Sequence, residues 1–106
     1  MTLKEAIELI RPGVRQEAKI WADIGAGTGM FTMALMDILE EEVSDECTLY
    51  ALDKSPHALW QLESSPHTRL EILDADFSHP LDLPELDGIV MANALHYALD
   101  PLPVFQ

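Results

Sequence analysis

Basic residues are scarce in this chain. Six Lys and Arg stand against nineteen Asp and Glu, a formal charge of -13 over 106 residues, and such a field repels phosphate backbones and anionic lipid surfaces. Nucleic acid and membranes are therefore not expected as partners, and the acidity reads as a solubility feature. Cysteine is nearly absent. Cys47 alone excludes an internal disulfide and has no neighbouring ligands for zinc. His57, His67 and His79 are scattered through turns without metal-ligand spacing, so no metal site is expected. Long apolar runs are missing too: nothing approaches the roughly 20 residues needed to cross a bilayer, and no basic-then-apolar leader opens the chain. The expectation is a soluble, cytoplasmic protein. Glycine is also sparse, yet three of the five glycines are Gly25, Gly27 and Gly29.

What is present is enough for one core. With 48% hydrophobic residues, the chain suits a single small domain over residues 1–106. Apolar runs alternate with amphipathic segments, the rhythm of an α/β layout. Thr2-Leu3-Lys4-Glu5 has the spacing of a capping box, and Leu3, Ala6, Ile7 and Ile10 then share a helix face until Pro12-Gly13. Ile20–Ile24 reads as a buried strand. Phe31, Ala34, Leu35, Ile38 and Leu39 give the next helix its core-facing stripe, with Met30, Met33 and Met36 off it and read as plain packing.

The acidic stretch from Glu40 to Glu46 reads as a solvated helix end and turn. Thr48–Leu52 is a second strand ending at Asp53. Ser55-Pro56 then supplies an N-cap and a first-turn proline for a short helix whose inner face is Ala58, Leu59 and Leu62. Arg69–Leu73 is a third strand running into Asp74-Ala75-Asp76-Phe77, and Ile89–Ala92 a fourth ending at Asn93. Asp100-Pro101 resembles a helix start with only Leu102 to Gln106 left to follow it, so the chain is expected to be shortened relative to the domain it came from.

The chemistry gathers at strand ends. After the first strand comes Asp23-Ile24-Gly25-Ala26-Gly27-Thr28-Gly29. Glycines there tolerate positive φ and carry no Cβ, so a ligand can approach the backbone, and the following helix turns free amides towards it. A dinucleotide loop, G-x-G-x-x-G, needs glycine at position 30, where this chain has Met30. That departure disfavours a nicotinamide-dependent oxidoreductase.

Asp23-x-Gly-x-Gly-x-Gly resembles the first motif of class I S-adenosylmethionine-dependent methyltransferases, and three later segments resemble further motifs of that family in order. The resemblance implies that Asp23 and the loop Gly25, Ala26, Gly27, Thr28 and Gly29 receive the amino acid part of S-adenosylmethionine. It implies that Asp53, with Lys54 beside it, meets the ribose hydroxyls, although Asp53 also suits a surface carboxylate capping the Ser55 turn. Asp76 and Phe77 are similar to the adenine-contacting segment, with Asp74 the competing position. The segment Asp87 to Tyr97 resembles the fourth motif, where donor and acceptor meet. There Asn93 and His96 are candidates to orient or deprotonate an acceptor, Asn93 also to contact the cofactor, with capping or packing beside the strand as the alternative for His96. Ala94-Leu95 after Asn93 departs from the Asn-Pro-Pro-aromatic signature of enzymes acting on nucleobase amines, which disfavours such acceptors.

The fold implied is a Rossmann-like three-layer αβα with a mostly parallel sheet, truncated to about four strands in the order 3-2-1-4, helices on both faces and the ligand at the carboxyl ends of strands one and two. The function implied is methyl transfer to an acceptor that the sequence does not identify. The alternative is a catalytically inactive module that binds the cofactor or a protein partner. A bare strand-four edge is expected to pair with a second copy.

Overall fold

The structure, a computed structural model, describes residues 2–43, 45–74 and 83–91. Helix α1 (Leu3–Ile10) begins with the capping box read from the sequence: Thr2 accepts from the Glu5 amide, and the Glu5 carboxylate accepts from the Thr2 amide. A 3₁₀ turn, Arg11–Gly13, leads towards β1 (Ile20–Ile24). Then come α2 (Met30–Glu42), β2 (Cys47–Asp53), a 3₁₀ helix at Pro56–Gln61, β3 (Thr68–Asp74) and β4 (Gly88–Val90).

The four strands form one sheet in the order β3-β2-β1-β4, and every pairing is parallel. This is the strand order the motifs imply, with β1 and β2 central. Because side chains alternate along a strand, Trp21, Leu49 and Val90 share one face with α1 and α2 in the main core. Ala51 lies on that face too, in a smaller cluster under the 3₁₀ helix with Ala26 and Leu59. On the other face Ala22 and Leu52 are covered by Leu83 and Leu86. Both described α-helices therefore lie on one side of the sheet, and among the described residues no helix covers the other face, where the sequence leads one to expect a second layer.

The methionines off the expected stripe pack, as expected: Met36 is buried in the core and Met30 packs against it, because α2 is sandwiched between the sheet and α1 and so buries a wider arc than one stripe. One local expectation needs correction. The short helix after β2 is 3₁₀, with Ser55 making no side-chain cap. Its three-residue period stacks Pro56, Leu59 and Leu62 inward and leaves Ala58 exposed.

The acidic stretch that ends α2 and follows it is more than a solvated end. Arg11 bridges Glu41 at 2.9 Å and Glu42 at 2.6 Å, joining α1 to α2. The Glu40 carboxylate accepts from the His67 amide at 3.0 Å and the Thr68 hydroxyl at 2.9 Å, fastening the end of α2 to the start of β3. Asp45 pairs with Lys19 at 2.7 Å. At the same, amino end of β1, Asp87 accepts from the Lys19 and Ile20 amides at 2.9 and 3.0 Å. These two bonds hold its carboxyl below the usual range and register β4 against β1. No helix among the described residues is long and apolar enough to cross a membrane.

Candidate functional site

In a parallel sheet the carboxyl ends of neighbouring strands open on the same edge, so residues far apart in sequence meet there. Here Asp23 comes from β1, Asp53 from β2, and the glycine loop lies between them. Gly25, Gly27 and Gly29 all adopt positive φ, at 72°, 60° and 90°, which glycine enters without the cost other residues bear. The turn is tied to β2: the Gly25 and Ala26 amides both donate to the Leu52 carbonyl, at 2.8 and 2.9 Å.

Asp53 completes that attachment. Its Oδ2 accepts from the Gly27 amide at 2.6 Å and its Oδ1 from the Ser55 amide at 3.2 Å. The carboxylate thus caps the Ser55 turn, as one reading of this residue expects, and also grips the glycine loop. A carboxylate has about four acceptor positions, so two remain for donors from a ligand. Lys54 beside it is exposed.

Asp23 differs from Asp53 in having no access to water. It is fully buried. Its Oδ2 accepts from the Thr32 hydroxyl at 2.7 Å, while Oδ1 is buried with no partner among the described residues. Burial pushes its pKa up to about 7; the Thr32 hydrogen bond opposes the rise and the charge of Asp53 adds to it. Removing water disfavours the ionised form, and an unpaired buried acceptor is costly. The pair is thus an acceptor that a positively charged group would complete, directly or across one water.

The loop residues divide by role. Gly29 precedes α2 and packs against Leu62 and Leu59, Ala26 is buried in the small cluster with Ala51 and Leu59, and Thr28 is exposed at the tip. Ala26 therefore anchors the loop from behind. Asp74 is exposed and stands opposite Asp53 in register. Asp76, Phe77, Asn93 and His96 lie outside the described residues.

Sequence reasoning missed Thr32. Its signal was present all the same: it is the one polar residue among the buried positions of α2, a few residues after a glycine loop and an aspartate. Among the described residues no cluster of three or more His, Cys, Asp or Glu could hold a metal ion.

The residues fit an adenosylated amino acid. One end offers Asp23 with an unsatisfied buried oxygen, the other offers Asp53 with spare acceptor capacity, and between them runs backbone with no side chain at Gly25, Gly27 and Gly29. Compared with known families, residues 22–106 match the one described as "Methyltransferase domain". No curated protein sequence matches the chain.

Proposed function

The chain belongs to the family of methyltransferase domains, and we propose that it binds S-adenosylmethionine across the β1 and β2 strand ends and serves methyl transfer. Members of the family generally use that cofactor. The observation that carries the reading is the Gly27 to Asp53 bond at 2.6 Å, which makes the glycine loop and the ribose-type carboxylate one unit. When bound, S-adenosylmethionine supplies a methyl group on a sulfonium, open to in-line attack by a nucleophile.

The chain's own residues hold and orient. Asp53 accepts from vicinal hydroxyls while keeping the hydrogen bonds it accepts from the Gly27 and Ser55 amides. Asp23 accepts from an ammonium group. The amino end of α2, where helix amides and the macrodipole favour negative charge, faces the carboxylate of the same amino acid. Asp76 and Phe77 are assigned to the adenine, and Asn93 and His96 to the reacting end, on their sequence motifs. No residue is required to form a covalent intermediate.

Titration calorimetry of the chain with S-adenosylmethionine, S-adenosylhomocysteine and NAD tests this directly. Binding of the first two and not of NAD is expected. Heat with NAD alone would replace the reading by a dinucleotide one. Binding without methyl transfer to any acceptor offered would favour the inactive binding module.

A further inference from the structure

Thr32 sits in the first turns of α2 with its hydroxyl turned away from its own helix. Threonines inside helices commonly donate back to a carbonyl one turn earlier; this one donates to Asp23 instead, and both residues are fully buried. A hydroxyl carries one proton, so the bond selects a single carboxylate oxygen. Oδ2 is engaged and Oδ1 is left with no partner among the described residues. The choice matters because buried polar atoms are almost always paired.

We propose that Thr32 is a positioning residue of the cofactor site, clamping Asp23 so that Oδ1 is the acceptor offered to the cofactor's α-ammonium group. This inference rests on the cofactor reading above. Among the described residues the groups facing Asp23 are these: β2 contributes the ionisable Asp53 and, in register, Ala51; β4 contributes Val90; α2 contributes Thr32. In the free protein burial holds the Asp23 carboxyl near neutrality, at about 7. An arriving cation favours the ionised form, so affinity for the ammonium-bearing ligand rises as pH rises through that region. Thr32 stabilises the ionised form, and without it the rise moves to higher pH.

The test is titration calorimetry with S-adenosylhomocysteine, which carries the amino acid, and 5′-methylthioadenosine, which lacks it, between about pH 6 and 8. The quantity read is the ratio of the two affinities. At pH 7 Thr32→Val is expected to lower that ratio roughly tenfold, a difference of the size one charge-assisted contact makes, and to shift its pH dependence upward. Thr32→Ser should restore the wild-type behaviour. Asp23→Asn should leave a ratio lacking the rise through pH 7, which keeps the inference testable should Thr32→Val fail to fold. A Thr32→Val ratio equal to wild type at every pH, or equal losses for both ligands, would overturn the inference while leaving the cofactor reading intact. A wild-type chain that binds neither ligand would overturn both.

Discussion

Trp21 and Gly88 lie opposite each other across the β1 and β4 pairing, and the indole fills the space that a β-carbon at position 88 would need. Trp21 is almost wholly buried and its ring nitrogen donates to the Ala18 carbonyl at 3.1 Å, so the ring is fixed from two sides. Glycine at 88 is what lets the edge strand close onto the largest core side chain.

Gly88→Ala should therefore lower stability by about 1–3 kcal/mol, the usual cost of overpacking. Urea or thermal unfolding measures it. An unchanged midpoint would mean that the indole can move aside.

Gly29→Ala meets two obstacles together. The backbone there has φ 90°, and a β-carbon would come within 2.8 Å of Leu62 Cδ1 and 3.2 Å of Leu59 Cδ2. We expect a loss of about 1–3 kcal/mol from backbone strain, together with weaker cofactor binding as the loop shifts. Wild-type stability and affinity in this variant would contradict the loop geometry.

Asp53→Ala removes the acceptor of the Gly27 and Ser55 amides as well as the proposed ribose contact. Affinity for S-adenosylhomocysteine should fall roughly tenfold or more, as for loss of a hydrogen-bonded charged partner. Equal affinity in calorimetry would move the adenosine away from this strand end.

Asp23 makes stability depend on pH in an unusual direction for a carboxyl. Its pKa rises from 3.8 to about 7 on burial, so between those values the folded chain holds a proton that the unfolded chain has released. The contribution of Asp23 to stability is then fully present below about pH 4 and declines as pH rises to about 7, by on the order of 4 kcal/mol. Asp87, with its lowered pKa, acts oppositely and contributes stability that is lost as pH falls. The difference in unfolding free energy between wild type and Asp23→Asn isolates the first effect. It should shift against the wild type as pH increases from 4 to 7, and a constant difference would show that Asp23 is not protonated in the folded state.

Much of this molecule is written locally in the chain. The capping box at Thr2 and Glu5, the stop at Pro12-Gly13, and the glycine turn with Asp23 and Asp53 at strand ends all depend on short-range rules of backbone conformation and hydrophobic period. Those rules, with the family motifs, were enough to imply the parallel order 3-2-1-4 and the edge on which the site opens. Only the tertiary structure decided how side chains from different elements meet. It buried Met36 because α1 covers α2, and it turned the segment after Asp53 into a 3₁₀ helix. It also placed Thr32 against Asp23 and gave that carboxyl one oxygen with no partner among the described residues. Burial and pairing are properties of the packed chain, set by distances between residues that no local period encodes, and so is the charge state of Asp23.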